Sequence, residues 1–302
     1  MNFWVGVTDN DWFAYQAANG PDEVNFWQPS ATPPFRRAQI GMPFLFKLRR
    51  PNNHVAGGGY FVTYSQLPLS LAWEVFGQKN GAATFNEFSA LLKPLTRATN
   101  GDIGCTVLAS PFFLPRASWI ANPPGWSSNI VRGKMYDSEE VDGRAIWSAL
   151  NVAKHEGLVS SQNVGEPREK YGQPIMVKPR LGQSSFRVMV TDAYKRRCAI
   201  TGENTLIALE AAHIVPYSGD GSHDVSNGML LRADFHRLFD SGLVSVTPDL
   251  KIKISPRIRE AYFNGKAYYR LNDQPLSILP ERPEFQPDRD RLDWHYKNRF
   301  QA

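Results

Sequence analysis

The sequence predicts an α+β protein built from two domains, and three observations carry that reading. Short strand-like runs, separated by Gly, Pro, Asn and Asp, fill residues 1–135. After residue 182 the apolar spacing turns helical. Beyond it lies "EAAHIVPYSGDGSHDVSNGMLLRADFHRLFD", residues 210–240, whose strand, loop and helix contribute His213, Asn227 and His236 in turn. A chain of 302 residues is long enough for both domains.

In the first half, "NFWVGV", "PFLFKLR", "HVAGGGYFVTY" and "IGCTVLASPFFL" read as strands. One helix is predicted over "SLAWEVFGQKNG", with Leu71, Trp73, Val75 and Phe76 apolar, and a second over "TFNEFSALLKPL" until Pro94 stops it. Short strands with one or two helices predict a small, partly closed barrel for 1–135. Residues 136–178 are expected to be a linker region, with one short helix over "YDSEEVDGRAIWSALN" and then a polar, Pro- and Gly-bearing tract. The second domain is expected over 179–302. It opens on a helix carrying Phe186, Met189, Val190 and Tyr194 on one face. Strand, loop and helix follow, with Gly242 as the helix stop, and then two strand-like runs about Pro248 and Asp249.

Hydrophobic residues make up 42% and charged residues 21%, which suits a packed fold. No apolar run approaches the roughly 20 residues that span a bilayer, and the first residues show no secretory pattern, so a cytoplasmic protein without membrane partners is expected. Cys105 and Cys198 lie far apart with no CxxC partner, which excludes a disulfide framework and fits a reducing compartment. The net charge is +5, and between Lys178 and Arg197 six basic residues face one acid, Asp192. Such a segment can neutralise phosphates or serve as a solvated helix face.

The chemistry is expected in the hairpin. Asn227 lies 14 residues after His213 and His236 nine further on, with Asp240 one helical turn later on the same face. Singly these residues are unremarkable in loops and helices; their order is what points to a site. A neutral imidazole can take a proton from water near pH 7, and a divalent ion held by a His and an acid can stabilise charge on a phosphate. "CAITG…LEAAHIVPYS…SNGMLLRADFHRLFDSGL" resembles the HNH nuclease family, whose ββα-metal hairpin is named for His, Asn and His. The resemblance covers about 179–260. It implies His213 as general base, Asn227 as the loop-orienting residue, His236 as a ligand of a divalent metal (Mg, Mn, Ni or Zn), and Asp240 as a second ligand. Two positions depart from the family pattern. Ala212 stands where many members place an acid or a His, and strand alternation points the substitute, Glu210, to the face opposite His213. "CAITGENT" lacks a second Cys, so no structural zinc is expected. Arg187, Arg196, Arg232 and Arg237 are candidate phosphate contacts. His223 and His295 read as plain solvated or weak positions.

The aromatic first half, in "FWVGVTDNDWF" and "NFWQPS", resembles the PUA-like superfamily and its EVE branch, small barrels that hold modified bases. That resemblance implies a modified-base pocket, for which Trp12, Phe26 and Trp27 are cage candidates and Asn25 and Ser30 edge readers. Stacking a flipped base on aromatic rings returns about 1–3 kcal/mol, against a few kcal/mol for extruding it. Together the halves look like a modification-dependent restriction endonuclease acting on double-stranded DNA with modified cytosine. A homodimer would supply the two cuts of a double-strand break. Two other readings stay open: a nuclease whose first domain reads unmodified DNA or RNA, and a nucleic-acid-binding protein without catalysis.

Overall fold

The computed structural model describes residues 1–302 except 30–31, 34, 36–37, 94–101, 124, 161–180 and 218–221, with the backbone alone over 155–160. The chain divides into two compact units, Met1–Arg180 and Leu181–Ala302. Among the described residues, no helix is long and apolar enough to cross a membrane.

The first unit is a mixed sheet flanked by helices. Its elements are β1 (Asn2–Thr8), α1 (Asn10–Asn19), β2 (Glu23–Gln28), β3 (Pro43–Leu48), β4 (Val55–Pro68), α2 (Leu69–Phe76), α3 (Phe85–Leu92), β5 (Asp102–Phe113), β6 (Gly133–Asp137) and α4 (Val141–Ser160). The strands order as β2-β5-β4-β3-β1-β6; β1 and β3 run parallel and the other neighbours antiparallel. The 14-residue β4 bends this sheet, pairing with β3 through one register shift and with β5 through two. Gly57 and Gly58 make the crossing possible. A Cβ at Gly57 would sit 2.3 Å from the Phe112 carbonyl oxygen, and one at Gly58 2.6 Å from that of Phe44.

The bend does not close the sheet. β2 and β6 remain its two edges, so the expected barrel is found as an open, curved sheet among the described residues. Two apolar layers cover it. Trp4, Trp12, Phe13, Phe35, Phe44, Phe46, Phe61 and Leu108 form one. Phe3, Val5, Leu45 and Tyr136 form the other with Ile146, Leu150 and Ala153 of α4. Residues 136–153, expected in a linker, are therefore part of the first unit's core, because β6 pairs with β1 and α4 buries one face.

The second unit contains α5 (Gln183–Ala193), β7 (Leu209–His213), β8 (Gly228–Arg232), α6 (Ala233–Asp240), β9 (Val244–Val246), β10 (Ile252–Ile254), α7 (Arg257–Tyr262), α8 (Lys266–Tyr269) and α9 (Arg289–Asn298). β7 and β8 form an antiparallel hairpin with His213 opposite Gly228 and Glu210 opposite Leu231. β9 and β10 form a second. One core joins them, from Phe186 and Val190 on α5 through Ala212, Leu230 and Leu231 to Phe235, Phe239 and Leu292. Helix α6 stops at Gly242, whose φ of 70° suits a residue without a side chain. Cys198 is a free thiol buried in this core, approached by the backbone N–H groups of Thr201 and Arg232.

Candidate active site

Along β7, Leu209 and Ala212 are buried, while Glu210, Ala211 and His213 are partly exposed. Ala212 is fully buried against the core, so no ligand is offered there. Glu210 is partly exposed, and α6 presents His236 to it. The Glu210 carboxylate lies 2.6 Å from His236 Nδ1, and Asp240 lies 3.3 Å from His236 Nε2. The imidazole is thus held between two carboxylates, one from the strand and one from its own helix.

His213 stacks on Phe186 of α5, with ring centroids 3.9 Å apart and planes 10° from parallel. Its Nε2 is 3.2 Å from Nδ1 of His223, and His223 itself stacks on Tyr217 at 4.3 Å. Burial first, and then the charges of His223 and His236, push the His213 pKa down to about 4. His213 is therefore neutral at pH 7, the form that can accept a proton. The His236 charge is near enough to contribute.

Asn227 holds the intervening loop. Its side chain is wholly buried and makes three bonds of 2.9 Å: Oδ1 accepts from Val215 N–H, and Nδ2 donates to the carbonyls of Val215 and Ser222. Its backbone carbonyl accepts from Ile214 N–H at 2.8 Å. Residues 214–215 and 222 are thereby tied to the turn that starts β8. Gly228 follows because nothing larger fits: a Cβ there would lie 2.5 Å from Val190 Cγ2 and 2.8 Å from Phe186 Cζ.

Residues 198–247 match the HNH endonuclease family model. All three name-giving residues, His213, Asn227 and His236, fall inside that HNH segment, with Glu210 and Asp240. Among solved structures, the chain is similar to two mutant forms of the ZmASCH protein from Zymomonas mobilis. One is 11% identical, covering 48% of this chain and 96% of that one at a TM-score of 0.34; the other is 9% identical, covering 48% and 95% at 0.33. It is also similar to a modification-dependent restriction endonuclease, TagI, at 15% identity over 91% of this chain and 74% of that one, with a TM-score of 0.28. No curated protein matches the sequence. At these TM-scores the structural alignments carry no fold assignment, and the HNH match stands on its own.

The donors of the HNH segment suit a divalent ion in part. Among the described residues no three His, Cys, Asp or Glu side chains converge as a ligand set. Glu210 and His236 Nδ1, however, are close enough to act as neighbouring ligands, since two donors about 2.1 Å from one ion lie roughly 3 Å apart. Asp240 is on the other edge of the ring, and the two imidazole nitrogens point apart, so one ion takes Glu210 or Asp240 but not both in this arrangement. An edge of one nitrogen and one carboxylate suits a hard ion that keeps waters and binds phosphate oxygens.

Of the four arginines expected at phosphates, Arg232 is committed elsewhere. Its Nε and Nη2 make a two-pronged contact with Asp234 at 2.8 and 2.6 Å, and Tyr268 donates to the same carboxylate. The pair occupies one edge of the guanidinium. Arg196 pairs with Asp192 one turn earlier at 3.7 Å. Arg187 is half-buried on α5, and Arg237 is exposed on α6 beside His236. His295 is a structural residue: it stacks on Phe239 at 3.7 Å, donates from Nε2 to the Phe239 carbonyl and accepts from Ser245 at Nδ1. Arg291, not singled out by sequence, reaches Ser222 Oγ at 3.2 Å and braces the loop beside His223.

In the first unit the cage candidates Trp12, Phe26 and Trp27 lie in or against one aromatic cluster. Phe26 is in ring contact with Trp12, Phe44 and Phe46, and its neighbours on β2, Asn25 and Trp27, reach Asn80. Asn25 Nδ2 donates to Asn80 and Cys105, while Trp27 donates to the Asn80 carbonyl and packs edge-on against Phe88. Trp12 is a core residue, 5% exposed, in edge contact with Phe26 and Phe46. Ser30 lies outside the described residues. On the Phe26 face the register sets Thr106 beside both Phe26 and Tyr64. Thr106 Oγ1 and the indole N–H groups of Trp4 and Trp12 are buried there and meet no hydrogen-bond partner among the described residues.

Proposed function

We propose that this chain is a metal-dependent DNA endonuclease whose HNH segment hydrolyses phosphodiester bonds and whose first unit reads a modified cytosine. The observation that carries the first part is the neutral His213 imidazole, held by Phe186 and His223 within electrostatic reach of the His236, Glu210 and Asp240 cluster. In this reading His213 takes the proton of the attacking water, and Asn227 keeps the loop in the conformation that presents it. His236 and Glu210 would hold a divalent ion, whose charge would offset that of the phosphate oxygens. Asp240, on the far edge of the ring, orients His236 as an outer carboxylate partner does. Arg237 and Arg187 are the arginines best placed for backbone phosphates, with Arg196 further along. Two copies would cut both strands, one hairpin serving each.

The reader assignment rests on the Phe26 face of the first unit. Stacking surface from Phe26 and unpartnered donors at Trp4, Trp12 and Thr106 lie on one layer. A buried donor without a partner costs about 1–3 kcal/mol, and a base edge would recover it.

The test is nicking of supercoiled plasmid with magnesium or manganese, with and without 5-methylcytosine. His213→Ala should slow cutting about 10²–10⁴-fold, the usual contribution of a general base. Cutting at the wild-type rate would remove His213 from the mechanism. Equal binding of methylated and unmethylated duplexes at one fixed salt concentration would remove the reader.

A further inference from the structure

We infer that His223 is a positioning residue for the general base: it accepts a hydrogen bond from His213 Nε2–H and so leaves His213 Nδ1 as the nitrogen that takes the water proton. The inference rests on His213 being the base and adds what sets the position of its proton.

The contact is built from both sides. His213 Nε2 faces His223 Nδ1 at 3.2 Å. Phe186 fixes the plane of one ring and Tyr217 that of the other. The loop below His223 is pinned by Asn227 Nδ2 to the Ser222 carbonyl and by Arg291 to Ser222 Oγ. His223 is thus set by the same loop clamp that joins β7 to β8.

The chemistry then leaves one productive arrangement. A neutral imidazole carries one N–H and one lone pair. Because His213 Nε2 is occupied by His223, the water must approach Nδ1, which has to bear the lone pair. The proton therefore sits on Nε2, and His223 Nδ1 is its acceptor. In the opposite tautomer His223 would donate, His213 Nδ1 would already carry hydrogen, and no proton could be taken. When the water O–H bond breaks, its proton joins His213 Nδ1 and its oxygen forms the new P–O bond. The scissile P–O bond breaks, and the leaving oxygen takes a proton from solvent. His213 is then cationic, and its bond to His223 becomes charge-assisted as that charge appears.

Two readouts on the full chain test this. Long-range ¹H–¹⁵N correlation on ¹⁵N-labelled protein distinguishes protonated from bare ring nitrogens. Wild type should show His213 protonated at Nε2, His223→Ala a mixture of tautomers, and His223→Asn, whose side-chain oxygen can accept, the wild-type form. In plasmid nicking, His223→Ala should lower kcat about 10–100-fold at unchanged KM, with His223→Asn recovering most of it. Melting curves equal to wild type identify folded variants. A wild-type His213 protonated at Nδ1, an unchanged tautomer in His223→Ala, or an unchanged kcat would each overturn the inference. If His213→Ala cuts at the wild-type rate, the base assignment fails instead, and the spectra alone judge His223.

Discussion

Asn227 has no exposed surface and three side-chain hydrogen bonds. Asn227→Ala would strand two backbone carbonyls and one N–H, and should cost about 2–4 kcal/mol by urea denaturation. Asn227→Asp should also destabilise, since it loses both donors. Glu210 makes a different prediction. In Glu210→Gln the carboxylate beside His236 is gone, so manganese affinity read by titration should fall about 10-fold or more while the fold is kept. In Asp240→Asn the loss should be smaller. Glu210 and His223 were the least legible residues in the sequence. Nothing in the spacing reveals that α6 brings His236 against Glu210. His223 sits in a polar Gly- and Ser-rich loop, and the folding back that sets it against His213 depends on contacts from Tyr217, Asn227 and Arg291.

The hairpin is held to α5 by contact too close for a side chain at Gly228. In Gly228→Ala the new methyl would meet Val190 and Phe186, the ring that supports His213. We expect a loss of about 1–3 kcal/mol in unfolding free energy, the usual penalty of overpacking, with slower cutting as the stack shifts. The hairpin itself was readable, because each of its elements carries a strong signal: alternation in β7, Asn-Gly before β8, and a Gly stop after α6. Elsewhere signals were weaker. Helix α1 hides in an aromatic stretch, although Asp9 caps it by accepting from Asp11 and Trp12 N–H and Gly20 ends it with a φ of 54°. Helix α9 buries only Leu292 and His295, too few apolar positions to show a period. β2, only six residues long and followed by Pro29, carries a weak strand signal of its own.

At the scale of the molecule, acid should weaken the second unit. Burial pushes His295 down to about 4, as it does His213. On acidification the unfolded chain binds these protons first, near the ordinary His value of about 6.5. Stability is therefore whole above about pH 6.5 and is lost as the pH falls towards 4. For His295, almost fully buried, the loss is on the order of 3 kcal/mol. Thermal melts from pH 7.5 to 4.5 should show a falling midpoint, with a shallower fall in His295→Gln. The mixed α+β class and the two-part division follow from composition and periodicity, but sheet closure does not. Whether edge strands meet depends on how far β4 bends, which strand propensity does not encode.

The fork between Arg232 and Asp234 has a consequence for how binding responds to ionic strength. A cation already matched by its own carboxylate displaces no counterions from DNA when the complex forms. Replacing Arg232 should therefore leave the slope of log affinity against log salt unchanged, whereas replacing Arg237, the proposed phosphate contact, should reduce it by about one. A basic residue beside the catalytic helix would then contribute to the shape of the site and nothing to its grip on the polyanion.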